Sequence, residues 1–365
     1  MTGAWSSAAR VLAVRLDALG DVLMTTPALR ALRAAVPGRR LTLLTSRAGA
    51  GAALLVPEVD EVLVYDAPWM KATPLRTASG VDRAVLDRLR ALRFEAAVVF
   101  TVYTQSALPA ALLCYLARIP VRLAHARENP YQLLTDWVRE WEPEHGIRHE
   151  VRRQLDLVAT IGCRTADERL ALRVPPAAAR RAAALLDRLG VDRRRPWVML
   201  HPGASAPSRR YAAAGFAAAA EHLAAATGCQ LVFTGTVAER ALVERIRGAA
   251  RAPSVSLAGR LSVAELAAAI AMASLLIANN TGPVHIAAAV GTPVVDLYAL
   301  TNPQHTPWQV PARVLTHDVP CKYCYRSVCP EGHHDCLRLV PPEAIVEAAC
   351  DLLAEGRGLA RAAAR

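Results

Sequence analysis

Short apolar runs alternate with helical patterns along this chain, and the alternation occurs in two series. In the first half, the apolar run at residues 11–16 leads through a short turn into a helical pattern at residues 21–35. Further apolar runs and helical patterns follow at residues 41–44, 62–65, 81–93, 96–100 and 104–117. Such alternation is typical of a parallel sheet flanked by helices, so the sequence predicts an α/β fold.

The alternation restarts after residue 190, with apolar runs at residues 197–200, 230–233, 275–278 and 294–297. Pro175 and Pro176 lie between the two series and predict a linker near residues 172–176. With 365 residues, the chain is also too long for one typical core. We therefore expect a first domain at residues 1–175, a second at residues 176–341 and a C-terminal helix at residues 342–365.

Composition excludes several classes of protein. A hydrophobic fraction of 53% with 21% charged residues excludes a disordered chain. Every apolar run is interrupted before the roughly 18 residues that a membrane-spanning helix needs. The first apolar run reaches Arg15 too early to form the core of a signal peptide. We therefore expect a globular, cytoplasmic protein.

The formal net charge of +11 favours an anionic partner. The arginines are spread over many Ala-rich segments, and the aromatic residues, 5% of the chain, do not alternate with them. This pattern argues against binding of nucleic acid. We expect an anionic substrate or acceptor, or peripheral contact with an anionic membrane surface, unless the excess of arginine reflects only a bias in base composition.

A strand end, a turn and a helix start meet in the segment at residues 275–289. Gly282 and Pro283 suit the turn and the first helical positions. The unpaired N–H groups of a helix start attract anions, and Thr281 and His285 can add side-chain hydrogen bonds. The segment therefore predicts an anion site, with an ordinary capped helix as the alternative.

A second candidate loop follows the apolar run at residues 197–200. It contains a glycine that permits an unusual turn, two hydroxyl groups and two guanidinium groups: Gly203, Ser205, Ser208, Arg209 and Arg210. Planar guanidinium groups suit a diphosphate. The loop therefore predicts a cradle for the phosphates of a nucleotide sugar; for either arginine, a solvated surface side chain is the alternative.

The loop after the first apolar run has one glycine, Gly20, where a dinucleotide-binding fingerprint has three. Asp21 stands at the predicted helix start, and Thr25 lies one turn later. Ligands of parallel sheets bind beyond the carboxyl ends of the strands, so we expect the loops of the two domains to face each other across a cleft. There, Asp21 can take a proton from an attacking hydroxyl group. A helix cap is the alternative, and Asp17 has the same two interpretations.

Three motifs, in this order, resemble glycosyltransferase family 9, which includes the ADP-heptose:lipopolysaccharide heptosyltransferases. The motifs are Leu19-Gly20-Asp21-Val22 with Thr26-Pro27-Ala28-Leu29, His201-Pro202-Gly203 with Arg209-Arg210-Tyr211, and Thr281-Gly282-Pro283-Val284-His285-Ile286-Ala287-Ala288. The resemblance implies a GT-B fold of two Rossmann-like domains, the first binding the acceptor and the second the nucleotide sugar. It also implies an inverting transfer without a metal ion and a C-terminal helix that packs back on the first domain.

The resemblance assigns roles residue by residue. Asp21 matches the general base of the family, and Arg209 lies where members often carry a Lys or Arg that contacts the donor phosphates. The donor-binding loop is matched by Thr281, Gly282 and His285. Asn280 stands where members commonly have an Asp that binds hydroxyl groups of the donor sugar. Asn keeps an acceptor oxygen, loses the charge and gains an NH2 donor, which leaves the identity of the sugar open.

The implied function is transfer of heptose, or a related sugar, from a nucleotide-diphosphate donor such as ADP-heptose to a lipopolysaccharide inner-core acceptor. The reaction would take place in the cytoplasm, at the inner face of the cytoplasmic membrane, and no cofactor is implied for catalysis. Three alternatives remain: a protein acceptor of the autotransporter type, another sugar, and a nucleotide-binding module whose catalytic function has lapsed.

Four cysteines lie close together in a Pro-flanked loop at residues 320–338: Cys321, Cys324, Cys329 and Cys336. Two of them form a C-x-x-C pair, and four thiolates can complete a tetrahedral site. The sequence leaves three states open: a structural zinc or iron site, reduced cysteines without metal, and disulfides, which the cytoplasmic assignment disfavours.

The polar stretch that contains His125, His145 and His149 is interpreted as an exposed loop followed by a helix start, with contact to the acceptor as the alternative.

Overall fold

The computed structural model describes residues 3–71 and 73–363. The chain divides into two compact units, Met1–Arg173 and Val174–Arg365. The division lies inside the segment where the proline pair predicts a linker. Each unit is described by itself below.

The first unit alternates strands and helices in the order α1 (Gly3–Ser7), β1 (Arg10–Arg15), α2 (Leu19–Ala35), β2 (Arg40–Thr45), α3 (Arg47–Ala53), β3 (Glu61–Val64), α4 (Gly80–Leu92), β4 (Ala96–Val99), α5 (Leu108–Leu116), β5 (Val121–Ala126), β6 (Asp136–Arg139) and α6 (Glu150–Ala159). The strands form one parallel sheet in the order β3-β2-β1-β4-β5-β6. In its register, Val11 of β1 pairs with Leu41 on one side and Ala96 on the other. Successive strands are added outward from β1 toward one edge of the sheet and then from β4 toward the other edge. This reversal of strand order lies between β1 and β4, and open parallel sheets bind ligands at such a position.

The second unit repeats this plan with α7 (Pro176–Arg188), β7 (Trp197–His201), α8 (Ala213–Thr227), β8 (Gln230–Phe233), α9 (Arg240–Ala249), β9 (Ser254–Ser256), α10 (Val263–Met272), β10 (Leu275–Asn279), α11 (Gly282–Val290), β11 (Val294–Leu297), β12 (Ala312–Leu315), α12 (Asp335–Arg338) and α13 (Pro342–Ala363). Its parallel sheet has the order β12-β11-β10-β7-β8-β9. Read from the other edge, this is the strand order of the first sheet. The corresponding reversal therefore lies between β7 and β10.

Buried strands carry the core of each unit. The residues of β1 after Arg10 are all buried, as are those of β7 and β10. Strands covered by helices on both faces need near-continuous apolar runs, which explains why these strands were visible in the sequence. Among the described helices, none combines the length and the hydropathy needed to cross a lipid bilayer.

Helix α13 packs on α8 and beside β10, β11 and β12. Its buried residues Ile345, Ala349 and Leu352 belong to the same apolar cluster as Phe216 of α8. The apolar face of this helix is therefore buried in the core of the second unit. The resemblance implied packing on the first domain; such a contact stays a prediction. Residues 364–365 of the predicted helix lie outside the described residues.

The polar stretch that contains His125, His145 and His149 is the expected exposed loop only in part: His145 is exposed in the turn before α6, whereas the region around His125 differs. His125 is buried in β5, and β6 follows it as the edge strand of the sheet. Glu140 is buried with it and pairs with Arg153 of α6. The error arose because the charged residues of this stretch are neutralised inside the fold, which sequence patterning does not reveal. The helix start was correct: His149 caps α6, accepting a hydrogen bond from the Val151 N–H.

Candidate functional site

A buried guanidinium group organises the loop that follows β1. Arg15 is the last residue of that strand and is 0% exposed. Its nitrogen atoms lie 2.9 Å from Asp17 Oδ2, 3.0 Å from Asp21 Oδ1 and 2.7 Å from Glu150 Oε1. Burial alone would lower the pKa of Arg15, but these three carboxylates outweigh it and raise the pKa above its usual range. Arg15 therefore stays charged and fixes the carboxylates around it.

Asp21 lies in the first turn of α2, because this helix begins at Leu19, two residues earlier than the sequence indicated. Its Oδ2 accepts a hydrogen bond from the Ala18 N–H at 3.2 Å, while its Oδ1 faces Arg15. Thr25 donates its hydroxyl proton to the Asp21 carbonyl oxygen at 2.8 Å, and Gly20 is buried beside them. The side chain of Asp21 is 19% exposed. The residue thus caps the helix and still presents part of its carboxylate to solvent, while its role as a general base stays a prediction.

Asp17 is a second carboxylate at the same strand end. Its Oδ1 accepts a hydrogen bond of 2.7 Å from the Gln105 side-chain amide, and its Oδ2 faces Arg15. Burial raises the pKa of Asp17 to about 6, a shift that Arg15 opposes and the Asp21 carboxylate reinforces. Asp17 therefore changes its charge close to neutral pH.

A cavity of about 410 Å³ opens beside Asp17. Its floor is apolar, formed by residues of β1, β4 and α5 such as Val14, Val99 and Ala110. Its polar lining consists of Asp17, Lys71, Thr101, Thr104, Gln105 and Ser106, and the aromatic side chain of Trp69 completes the wall. An apolar floor with a few polar groups is the usual construction of a small-molecule site.

Glu150 and Gln105 were not predicted as site residues, because they lie far along the chain from β1. Glu150 is the first residue of α6, and Gln105 follows β4. Both reach the Arg15 cluster because β4 is the neighbour of β1 and α6 packs on α2. An expectation that residues after β4 line the strand reversal would have found Gln105.

In the second unit, Asn279 joins the two candidate loops. This fully buried residue ends β10. Its Oδ1 accepts a hydrogen bond from the Tyr211 N–H at 3.0 Å, and its Nδ2 donates to the Pro202 carbonyl oxygen at 2.8 Å. The loop after β7 and the start of α11 are therefore held together at the strand reversal, where the order of the sheet predicts a ligand site.

Two of the predicted ligand residues in the loop after β7, Arg210 and Ser208, make hydrogen bonds within the protein. Arg210 donates to the carbonyl oxygens of Ala204 and Ser205, at 2.7 and 3.5 Å, and so stabilises the loop. Ser208 is buried and donates its hydroxyl proton to the Arg326 carbonyl oxygen at 2.7 Å. These contacts tie the loop to itself and to the cysteine-rich segment.

Arg209 has a different environment from its neighbour Arg210. Its guanidinium group is partly exposed and makes no hydrogen bond or ion pair with any residue that the structure describes. Ser205 is exposed in the same loop. Gly203 does not use a left-handed backbone; a Cβ atom there would lie 2.0 Å from Glu239 Oε1, so close approach explains the glycine. Arg209 therefore has its side chain available for an anionic ligand; Arg210 is more exposed, but it donates to loop carbonyl oxygens.

Helix α11 begins at Gly282, with Pro283 in its first turn and Thr281 as the residue before it. Thr281 Oγ1 donates to the Asn279 carbonyl oxygen at 3.2 Å rather than capping the helix. His285 is buried in the first turn. No side chain caps this start, but Pro283 has no N–H and the Val284 N–H donates to the Thr281 carbonyl oxygen at 3.0 Å, so the Gly282 N–H is the donor at this helix start that can face an anion.

Asn280 is held by two acceptors. Its Nδ2 donates to Asp296 Oδ2 at 2.8 Å and to the His305 carbonyl oxygen at 2.9 Å. Asp296 is fully buried in β11, and burial raises its pKa to about 8, opposed by the hydrogen bond from Asn280. Both NH2 hydrogens of Asn280 are used inward, so its Oδ1 is the atom left for a ligand. The carboxyl group of Asp296 behind Asn280 was not predicted from the sequence.

The four cysteines of the loop at residues 320–338 line one cavity of about 20 Å³, together with His333 and His334. Cys321 Sγ lies 3.8 Å from His333 Nε2, and burial raises the pKa of the Cys336 thiol. Across the described part of the chain, no three His, Cys, Asp or Glu side chains converge closely enough to hold a metal ion. The candidate ligands therefore share a cavity without a preformed coordination geometry.

Comparison with known proteins places these observations in a family. A sequence model of glycosyltransferase family 9 (heptosyltransferase) matches residues 83–334, more than half of the chain. The chain belongs to this family. Within family 9, lipopolysaccharide heptosyltransferase 1 of Pseudomonas aeruginosa is 26% identical over 323 residues, which cover 88% of this chain and 87% of that relative.

Other relatives match over a shorter stretch. Lipooligosaccharide heptosyltransferase 2 of Campylobacter jejuni is 31% identical over 160 residues, or 42% of this chain, and the match spans half (50%) of that relative's length. The solved structure of the ADP-heptose LPS heptosyltransferase II of E. coli superimposes with a TM-score of 0.74 at 23% identity, over 95% of this chain and 99% of that one. This family 9 chain therefore has the GT-B fold that the motifs implied.

Proposed function

We propose that this protein is an inverting glycosyltransferase that moves heptose, or a related sugar, from a nucleotide-diphosphate donor to a lipopolysaccharide inner-core acceptor. One observation carries the proposal: in a family 9 chain, a carboxylate pair held by Arg15 follows β1, while Arg209 follows β7 and the helix start at Gly282 follows the neighbouring strand β10, in two loops that Asn279 joins. The first set suits an acceptor hydroxyl group and the second suits a diphosphate.

The transfer step needs one base and one stabilised leaving group. The acceptor oxygen forms a bond to the anomeric carbon, and the bond from that carbon to the diphosphate oxygen breaks, its electron pair leaving with the nucleoside diphosphate. Asp21 accepts the hydroxyl proton. Arg209 and the Gly282 N–H at the start of α11 balance the negative charge on the departing diphosphate. Attack on the face opposite the leaving group inverts the configuration at the anomeric carbon.

The cavity beside Asp17 is the proposed acceptor site. Asp17 and Gln105 offer hydrogen bonds to sugar hydroxyl groups, Trp69 offers an apolar face for a sugar ring, and Lys71 offers a positive charge to an anionic substituent. The net charge of +11 agrees with an anionic acceptor. A lipopolysaccharide acceptor is linked to a lipid. We therefore propose that the protein makes peripheral contact with the inner membrane, on its cytoplasmic side.

The hydrogen bonds of Asn280 bear on the identity of the donor sugar. Asn280 presents Oδ1, an acceptor without charge, because Asp296 and His305 take its NH2 group. A neutral acceptor binds a sugar hydroxyl more weakly than a carboxylate does. We therefore propose ADP-heptose or a related nucleotide sugar as the donor, and the assay below includes both kinds of donor.

The cysteine-rich loop is proposed as a structural zinc or iron site, outside the transfer step. Cys321, Cys324, Cys329 and Cys336 would supply four thiolates around the small cavity, and a bound metal would draw them into a tetrahedral arrangement. The loop supports the donor side of the site, because Ser208 hydrogen-bonds to the Arg326 carbonyl oxygen. Less than about a tenth of an equivalent of zinc or iron in purified protein, by elemental analysis, would reject the site.

A panel assay tests the function. The full-length protein is incubated with ADP-heptose and other nucleotide sugars, each with a defined lipopolysaccharide core acceptor, and products are detected by mass. We expect one new glycoside whose mass exceeds that of the acceptor by one sugar residue. A product on a protein acceptor instead would change the acceptor class. Donor binding without transfer or hydrolysis would identify a lapsed nucleotide-binding module.

A further inference from the structure

Helix α5 carries an exposed apolar ridge on the first unit. Leu112, Tyr115 and Leu116 are 44%, 44% and 42% exposed. Their spacing of three and four residues places them on one face of the helix. The opposite face is buried, with Ala111, Leu113 and Cys114 in the core. The ridge is therefore a continuous apolar feature of the surface rather than a set of scattered side chains.

Guanidinium groups flank this ridge. On the side of α4, Arg83 is exposed; beyond the end of α5, Arg118 is exposed as well. Neither has a hydrogen-bond or ion-pair partner for its side chain among the residues that the structure describes. Arg90 of α4 donates to the Leu116 carbonyl oxygen at 3.1 Å, which ties α4 to the end of α5. The positive charge around the ridge is therefore available to an external anion.

Carboxylates do not cancel this charge. On α4, Asp82 pairs with Arg76 at 2.9 Å and Asp87 pairs with Arg90 at 3.3 Å. Arg83 and Arg118 remain as net positive charges beside the apolar side chains. An apolar strip with unpaired basic residues along its edges is the pattern of a surface that lies on anionic lipid.

Two grooves border the ridge. A groove of about 430 Å³ is lined by Arg90, Arg118 and Arg122 next to Tyr115 and Leu116. Arg90 pairs with Asp87, and Arg122 is buried and donates to backbone carbonyl oxygens, so Arg118 supplies the unpaired positive charge of this groove. On the other side, an apolar groove of about 210 Å³ is lined by residues that include Leu112, Leu116, Trp69 and Pro109. The first groove matches the charge of a phosphate headgroup, and the second matches the character of an acyl chain.

The apolar groove lies next to the proposed acceptor cavity, since Trp69 and Pro109 line both. A molecule with a sugar head and a lipid tail could occupy the two together, with its sugar beside Asp17 and its tail toward the ridge. By contrast, three exposed apolar side chains fall far short of the roughly 20 to 30 residues a side that a stable protein interface uses.

We propose that the surface formed by Leu112, Tyr115 and Leu116, with Arg83 and Arg118 at its edges, docks on the anionic surface of a lipid bilayer. The proposal rests on the proposed function, because a lipid-linked acceptor explains why this surface adjoins the acceptor cavity. The surface is called the α5 face below. Docking would hold the cavity next to the head of an acceptor embedded in the same bilayer.

Vesicle flotation with the full-length protein tests the α5 face without any catalysis. We expect binding to vesicles that contain phosphatidylglycerol, much weaker binding to pure phosphatidylcholine, and a loss of binding as salt increases. Arg83→Gln with Arg118→Gln should weaken the partition coefficient by roughly 25-fold, from about 1 kcal/mol for each basic residue near an anionic surface. The matched control is Arg188→Gln with Arg245→Gln, two exposed arginines of the second unit, which should bind like the wild type.

A second pair of variants tests the apolar ridge. Leu116→Gln should weaken binding by about tenfold, because a half-exposed leucine loses its burial in the bilayer interface. Leu339→Gln is the matched control, since Leu339 is 44% exposed in the second unit. Equal binding to both kinds of vesicle, or binding by the α5-face variants that equals that of their controls, would overturn the proposal.

Transfer assays separate this proposal from the proposed function. With a soluble acceptor that lacks its lipid, the α5-face variants should keep the turnover of the wild type. If no sugar is transferred by any form of the protein while phosphatidylglycerol binding still depends on Arg83 and Arg118, the proposed function fails and the docking surface stands. If transfer occurs but the vesicle results of all variants coincide, the docking surface fails alone.

Discussion

The carboxyl group behind Asn280 makes protein stability depend on pH. Asp296 is 0% exposed, and its Oδ1 has no hydrogen-bond partner within the described residues. Burial raises its pKa from 3.8 to about 8. The folded protein therefore holds this proton more tightly than the unfolded chain does. The stabilisation is complete below pH 4 and is lost as the pH rises toward 8.

Replacing Asp296 by Asn removes this titration and keeps the shape of the side chain. Between pH 5 and pH 7, the unfolded chain gains from ionising Asp296 while the folded protein does not. With the pKa at about 8, the wild type should lose about 3 kcal/mol of unfolding free energy relative to the Asn variant over this range. The Asn variant still offers a side-chain oxygen to the Nδ2 of Asn280, so the local hydrogen bond can persist.

Urea unfolding at pH 5, 6 and 7 measures the difference, with circular dichroism as the readout. The matched control is Asp351→Asn, which makes the same chemical change at an exposed position of α13. We expect the difference between wild type and Asp296→Asn to change with pH and that of the control to stay constant. Parallel pH profiles for wild type and Asp296→Asn would refute the assignment of a neutral, buried carboxyl group behind Asn280.

Three further predictions concern the site. Arg209→Ala should raise the donor KM by about 10- to 100-fold, because a hydrogen bond to a charged group is lost; steady-state kinetics measure this change. Arg210→Ala should instead lower the melting temperature, because Arg210 donates to loop carbonyl oxygens; thermal melts measure this change. Asp17 gains its charge as the pH rises through about 6, so the acceptor KM of the wild type should fall between pH 5 and 7, and that of Asp17→Asn should not. If the cysteine loop binds metal, Cys324→Ser should lower the zinc or iron content of purified protein by elemental analysis.

The strand and helix order of the site was predictable from the sequence. The run at residues 275–278 and the Gly-Pro pair after it correspond to β10 and the start of α11, because buried parallel strands need apolar runs and helix starts favour particular residues. The strands β5 and β6 were missed, since polar residues such as His125 interrupt their apolar pattern. The spacing of apolar residues along the chain does not show which charged residues are buried and neutralised by a partner.

The partners of the predicted residues were the part that the sequence could not supply. Asp21 was identified, but Glu150 reaches the same guanidinium group from α6, far along the chain. Asn280 was singled out, but the carboxyl group of Asp296 behind it comes from the neighbouring strand β11. In both cases a parallel sheet brings together the ends of strands that are distant in sequence. The sequence therefore predicted candidate residues within a single loop, but it did not predict the contacts that these residues make with other loops.

Turnover of the Asp21→Asn variant tests the proposed mechanism most directly. Initial rates of sugar transfer to a soluble core acceptor are compared with those of the wild type and of Asp351→Asn, while donor binding is measured by calorimetry. We expect the Asp21→Asn rate to fall by about 100- to 10,000-fold with donor affinity unchanged, since a general base is lost and the donor site is not. Turnover at the wild-type rate would contradict the role of Asp21 as the base.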